Sequence, residues 1–344
     1  MSQSQKKTLR LLVGILIVLV VILAVVMAVR HFSAQKAAEE EEAAKEDVIT
    51  EEDAEYTSLS YNNGTTTLSF HLDESGTWVW SDDPEFPLDD STIQSMMVLL
   101  TTLTPQQTIT DGDSLESYGL DQPVATLTAT KADGETLTIA LGDTTVDGDS
   151  YYMLMNGQEN PVYIISDSLH TYMSRTIYDM CQLPELPDLT EESIQSVSIA
   201  GAVTTELSQS GERTEPDPDT GEDTVVLTWS AGGEDVTSSE DAQALLTEVR
   251  GLSISKCVDY KPTDEAVSLC GFDAPQATLT VTYLTETGTE SSFTLTIAGE
   301  NLDASGYYVR LDDDTTIYQV STTSVDTILS IAAGGLTADA AAEE

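Results

Sequence analysis

Tyr118-Gly119-Leu120-Asp121-Gln122-Pro123-Val124-Ala125-Thr126-Leu127-Thr128 is met again as Cys270-Gly271-Phe272-Asp273-Ala274-Pro275-Gln276-Ala277-Thr278-Leu279-Thr280, 152 positions later. Eight of the eleven positions are identical or exchange one large apolar side chain for another. A long fixed period of this kind marks one folding unit used twice.

Working outward, the elements around the two stretches recur in the same order. Tyr56, Leu59 and Tyr61 precede the turn Asn62-Asn63-Gly64, and Thr66, Leu68 and Phe70 alternate after it, the pattern of a hairpin. Ile194, Val197 and Ile199 answer that first strand, and Trp229 falls 149 positions after Trp80. Ile93, Met96, Leu100 and Leu103 share a helical face that Ala242, Leu245, Val249 and Leu252 repeat at the same offset of 149. Tyr151-Tyr152 is matched by Tyr307-Tyr308, and Val162 to Ile165 by Ile317 to Val320. The offset drifts from 149 to 157 and back to 155, so insertions fall in loops. Helix is also expected over Ser168 to Met180, and the residues from Ala332 on read as a small, polar tail.

The expected fold class is α+β: an N-terminal transmembrane helix, then two related tandem domains, each a mostly antiparallel sheet covered by one main helix. The boundaries are a cytoplasmic tail over 1–10, the membrane span over 11–29, an acidic, Ala-rich stalk over 30–54, repeats over 55–187 and 188–331, and a tail over 332–344.

The shared turn has a structural reading at each position. Gly119 and Gly271 supply positive φ where the chain bends. Leu120 and Phe272 can plug apolar surface. Asp121 and Asp273 can accept local backbone N–H groups, and Pro123 and Pro275 can open an edge strand. Its double occurrence favours a structural role, since a catalytic centre need not be duplicated.

Leu11 to Val29 is an unbroken apolar run of 19 residues. As a helix it spans about 28 Å, against ~30 Å of bilayer hydrocarbon. Lys6, Lys7 and Arg10 precede it, and the short tail sets the expected orientation: N-terminus in the cytoplasm, the bulk of the chain outside. A cleaved signal peptide is the competing reading. It would have a shorter apolar core and a small-x-small site, whereas here Val26-Met27-Ala28 is followed at once by Arg30.

Beyond Arg30, nine Lys and Arg face all 60 acidic residues, a balance of −51. Such a field repels nucleic acid and anionic lipid, which excludes polyanion binding as a main function. Three cysteines form no disulfide framework. Cys257 and Cys270 could pair, but Cys270 occupies the place of Tyr118, which favours an apolar packing position.

No Gly-x-Ser-x-Gly elbow, Walker loop, Cys-x-x-Cys or His-Glu-x-x-His occurs, and His31, His71 and His170 lack partners at ligand spacing. No cofactor is expected. Asp217, Asp219 and Asp223, in Asp-Pro-Asp-Thr-Gly-Glu-Asp, place oxygen ligands at alternate positions as calcium loops do. Gly221 stands fifth rather than sixth, and Thr228 rather than a Glu fills the twelfth place, so a solvated hairpin loop is preferred.

These residues resemble the family called domain of unknown function 4340, with its lone N-terminal anchor, Trp-bearing strand, Tyr-Gly-Leu-Asp-x-Pro turn and later Gly and Tyr-Tyr positions. Here they are Trp80, Tyr118 to Pro123, Gly142 and Tyr151-Tyr152, then Trp229, Cys270 to Pro275, Gly299 and Tyr307-Tyr308. The second copy departs at Cys270 and Phe272. The resemblance implies no established activity. Some members are similar to proteins encoded beside ABC-type transporter components, which implies an accessory role with transporter subunits as partners. The expectation is a non-catalytic binding or scaffolding protein at the membrane. The rival is a surface hydrolase using paired carboxylates.

Overall fold

The structure is a computed structural model that describes residues 48–216 and 223–336. The run Leu11 to Val29 lies outside the described residues, and among those described no helix is long and apolar enough to cross a membrane. The chain packs as two units. Among the described residues, one is built from those up to Ser81 and from Ser91–Ser174, the other from Asp82–Asp90 and those from Arg175 on.

The first unit contains β1 (Tyr56–Asn62), β2 (Thr67–Leu72), β3 (Trp78–Trp80), α1 (Ser91–Thr101), β4 (Gln107–Ile109), β5 (Ala125–Lys131), β6 (Thr136–Thr144), β7 (Ser150–Met155), β8 (Val162–Ser166) and α2 (Ser168–Met173). Its sheet runs β3-β2-β1-β5-β6-β7-β8-β4. The second contains β9 (Ile194–Ala200), β10 (Thr204–Pro216), β11 (Asp223–Ala231), β12 (Glu234–Asp235), α3 (Glu240–Arg250), β13 (Lys256–Asp259), α4 (Asp264–Leu269), β14 (Ala277–Leu284), β15 (Glu290–Glu300), β16 (Gly306–Leu311), β17 (Ile317–Ser321) and α5 (Asp326–Gly334). Its sheet runs β12-β11-β10-β9-β14-β15-β16-β17-β13, the same order with one added edge strand.

Register makes the duplication concrete. Tyr61 faces Leu127 and Leu127 faces Ile139; in the second unit Ile199 faces Leu279 and Leu279 faces Leu295. Both sheets slip at the same place, between Leu141 and Thr144 and between Ile297 and Glu300. Such matched slips are features of a design rather than accidents of a loop. Every strand pair is antiparallel, and Thr alternates with apolar residues along β5 and β14, giving each sheet one packed face.

The expected helix faces are buried: Ile93, Met96, Leu100 and Leu103 in one unit, Ala242, Leu245, Val249 and Leu252 in the other. Each large side chain among them contributes roughly 1.5–3 kcal/mol by leaving water. One main helix per sheet is not the whole arrangement, however. α1 packs with α2, and α3 packs with α5, which also touches β9, β10 and β14. Glu248 on α3 caps α5 by accepting the N–H groups of Thr327 and Ile328, each at 3.1 Å. This satisfies orphan donors at a helix start that its own sequence leaves uncapped.

Three expectations are corrected. The helix expected over Ser168 to Met180 stops at Met173, and a separate 3-10 turn, Ile177–Met180, begins at Thr176 with a capping box to Asp179. The segment expected to be tail from Ala332 begins inside α5, with Ala332 2% exposed. Its carbonyl accepts the Val203 N–H at 2.9 Å, as Met173 O accepts Asn63 Nδ2 at 3.1 Å in the first unit. Finally, residues 48–54 of the expected stalk pack on the first unit: Ile49 N–H reaches Leu103 O, and Glu51 pairs with Lys131.

Candidate functional site

The repeated turn ends a short helix in both units by the same hydrogen-bond pattern. After the 3-10 turn Leu115–Tyr118, Gly119 N–H reaches Glu116 O at 3.2 Å and Leu120 N–H reaches Leu115 O at 2.9 Å. After α4, Gly271 N–H reaches Ser268 O at 3.0 Å and Phe272 N–H reaches Val267 O at 3.2 Å. This is a Schellman closure, which needs a left-handed residue at the glycine position, and Gly119 and Gly271 have φ of 67° and 87°. A Cβ on Gly119 would stand 2.8 Å from the Asp143 backbone nitrogen, and one on Gly271 would stand 3.0 Å from that of Gly299. The turn is pressed against the slipped strand, and Gly142 and Gly299 admit its carbonyls. Gly299 N–H donates to Cys270 O at 2.8 Å.

The other motif positions behave differently from expectation. The carboxylates of Asp121 and Asp273 are exposed and make no hydrogen bond. The glycine closure satisfies the backbone without them. Pro123 and Pro275 do not open edge strands, since β5 and β14 are interior strands. They stand two residues before the ladder, where Val124 N–H donates to Leu141 O and Gln276 N–H to Ile297 O, each at 2.8 Å.

The plug residues part company between the units. Leu120 is buried with Leu154 and Val162, flanked by Leu115, Tyr118 and Tyr152. The Tyr118 and Tyr152 rings lie 4.7 Å apart, and Tyr118 Oη accepts the Asp113 N–H. In the second unit Arg310 holds the register position of Leu154. Its guanidinium lies 4.6 Å from the centre of the half-buried Phe272 ring, and its buried Nε has no hydrogen-bond partner. A cation over an aromatic face replaces an apolar contact.

Near it, the second unit opens a cleft of about 400 Å³ lined by Pro87, Pro184, Glu185, Tyr260, Asp314 and Tyr318, among others. Tyr318 Oη donates to Asp314 Oδ2 at 2.8 Å, and Thr316 N–H donates to Asp314 Oδ1 at 2.8 Å. Burial works to raise the Asp314 carboxyl, but these donors and the charge of Arg310 outweigh it and hold the carboxyl below its ordinary range. Behind the cleft, Tyr178 Oη donates to Asp259 Oδ1 at 3.0 Å, and burial, with that carboxylate, pushes the phenol up to about 12. Tyr260 Oη donates to Glu85 O, its ring meets Phe86 edge-on at 5.2 Å, and Lys261 pairs with Asp83 and Glu85.

No motif in the sequence announces this cleft, because its walls come from four separate segments. The nearest signal in the sequence is the pair Pro184 and Pro187, which marks only the boundary between the two repeats. Among the described residues no group of three His, Cys, Asp or Glu converges on a metal position. His71 Nδ1 meets Ser81 Oγ, and His170 stacks on Tyr151 at 4.3 Å with burial lowering its basicity. Of the calcium candidates, Asp217 and Asp219 lie outside the described residues. Asp223 is exposed and opposes Pro216 where β10 and β11 pair. The cysteines are all free.

Fold and site together define a duplicated, mostly antiparallel α+β protein whose two sheets share one strand order and one turn. The chain belongs to the family described as Domain of unknown function (DUF4340), whose model matches residues 78–268 and 237–333. Neither a curated protein nor a solved structure matches the chain.

Proposed function

We propose that this chain is a single-pass membrane protein, anchored through Leu11 to Val29, whose extracytoplasmic units bind or scaffold a partner rather than catalyse a reaction. The cleft of the second unit is the docking site, and the partner is a membrane complex such as the subunits of an ABC-type transporter. The observation that carries the reading is the state of Asp314, the carboxylate that the cleft wall holds by hydrogen bonds. Asp314 is locked by Tyr318 and Thr316 and held low, whereas a hydrolase needs one carboxyl raised to act as an acid. Among the described residues, the carboxyls Asp73, Asp83, Asp147, Asp179, Glu192, Asp235 and Asp303 are likewise held low, by hydrogen bonds to hydroxyl, backbone or lysine donors. Proline and tyrosine walls around a fixed acceptor suit a peptide segment with a basic or neutral face.

The test places a photo-crosslinking side chain at Glu185 in the cleft and, as a control, at the exposed Val146 of the first unit. Irradiation of membranes should give adducts with one membrane complex from position 185 alone, weakened by salt. Equal adducts from both positions would remove the cleft from the reading. Turnover of any substrate by the purified chain, lost in Asp314→Asn, would replace it with the hydrolase.

A further inference from the structure

Cys181 follows the 3-10 turn Ile177–Met180, and its backbone pairs with Leu88. Cys257 sits on the edge strand β13, directly opposite Tyr318 of β17. The 3-10 turn packs on β13, and the Tyr178 hydroxyl is bonded to Asp259, two residues beyond Cys257. This brings together two thiols that are 76 positions apart in sequence. Both are buried, Cys257 completely and Cys181 to 7% exposure; the Cys181 thiol donates to Gln182 O at 3.6 Å, and each thiol lies close enough to shift the other's ionisation. Cys270 has no such neighbour: it caps α4, is only half-buried, and feels Asp259 and Arg310.

We infer that Cys181 and Cys257 are a modification site, a dithiol pair that closes to a disulfide and pins the Arg175–Cys181 strap to the edge of the second sheet. This differs from the Cys257–Cys270 pairing that the sequence leaves open. A disulfide-bearing small molecule or protein is the oxidant. The Cys181 thiolate attacks one oxidant sulfur, forming a mixed disulfide and expelling the first thiolate. Cys257, giving up its proton, then attacks Cys181 Sγ and expels the second. Two protein thiols are oxidised and one oxidant disulfide is reduced to two thiols, so atoms and electrons balance.

The order follows from the geometry. Cys181 is the more accessible and borders the cleft through Gln182, while Cys257 is wholly enclosed. The neighbouring Cys257 thiol holds the Cys181 thiol below its ordinary value, while the Cys181 sulfur and burial push the Cys257 thiol up. β13 is held by only one neighbouring strand, so a covalent tie there restrains an edge that hydrogen bonds alone leave free to fray. Tyr318, opposite Cys257, also lines the cleft, so the bond would stiffen that wall. The pairing is a property of the second unit; the proposed extracytoplasmic placement only supplies the oxidising compartment.

The test treats the purified full-length chain, in detergent, with oxidised glutathione, then alkylates free thiols under denaturing conditions and maps the peptides. The expected result is a linked peptide joining Cys181 to Cys257, loss of two hydrogens in intact mass, and alkylation of Cys270 alone. The Cys270→Ser chain should behave identically, and its melting midpoint should rise by roughly 5–10 °C on oxidation. Cys181→Ser and Cys257→Ser should abolish both changes. If either fails to fold, the peptide map of the Cys270→Ser chain decides. A Cys257–Cys270 link, or full alkylation of both Cys181 and Cys257 after oxidation, would overturn the inference.

Discussion

β1 and β9 bury their residues in the same pattern position for position, although their sequences share little. On the opposite face of the same two sheets, the units diverge. The first seals its repeated turn with Leu120, Leu154 and paired tyrosines, and the second sets Arg310 over Phe272 and replaces Tyr118 with Cys270. The main core tolerates only apolar exchange because every position there is enclosed. The outer face is half-open, so a charge can be seated where its end still reaches water. The difference teaches that duplication preserved the scaffold and freed the outer face of one copy for other uses.

Swapping the residues that the two plugs pack against tests this most severely. Leu154→Arg should cost about 3 kcal/mol or more, because it drives a charge into the buried Leu120 cluster, whose two tyrosine rings are already packed against each other and which holds no carboxylate. Arg310→Leu should be neutral or stabilising by up to about 1 kcal/mol, since it removes a buried nitrogen without a partner. Denaturant midpoints for both variants check this, and equal losses would break the comparison. Next in size, Gly119→Ala and Gly271→Ala should each cost roughly 1–3 kcal/mol, from positive φ and the close approach of the slipped strand. The loss at Gly119 should be the larger, because its neighbour Asp143 carries a side chain where Gly299 has none.

Titration separates the units by a smaller effect. The Tyr178 phenol is raised, so the folded second unit keeps a proton that the unfolded chain gives up. Its stability should therefore fall as pH rises from about 10 to about 12, and Tyr178→Phe should flatten that slope. Asp314 is lowered, so its contribution is present above the ordinary carboxylate value and is lost as pH falls below it; Asp314→Asn should remove that acid slope. Thermal melts across pH read both. The smallest effect is expected at the motif carboxylates: Asp121→Ala and Asp273→Ala should each change stability by less than about 0.5 kcal/mol, as exposed side chains without hydrogen bonds do. A loss above 1 kcal/mol in either would restore the capping role.

The order of the elements along the chain, both long helix faces and the positive φ of Gly119 and Gly271 were legible because each rests on a local period or a local steric demand. α5 was not. Its Ala332-Ala333-Gly334 end looks like a tail, and the carboxylate that caps it comes from Glu248, a long-range partner that no local pattern encodes. The Asp positions misled for the opposite reason: a residue type that often closes turns stands beside a glycine that has already closed this one. The cleft escaped because its lining residues are brought together only by packing, as are Cys181 and Cys257.

The second unit includes Asp82–Asp90, which are made long before the rest of it. On a ribosome adding about 5–20 residues per second, these nine residues wait roughly ten to thirty seconds before Tyr260 and Lys261, to which Glu85 and Asp83 bind, have been synthesised. During that interval β3 and α1, on either side of them in sequence, can already fold, leaving the segment as an unsatisfied loop with Phe86 at its centre. The later half of the chain must then find a site prepared by the earlier half. A fragment begun at residue 188 would lack this segment and Cys181 altogether, and would reach the end of synthesis with β13 bare on its outer side.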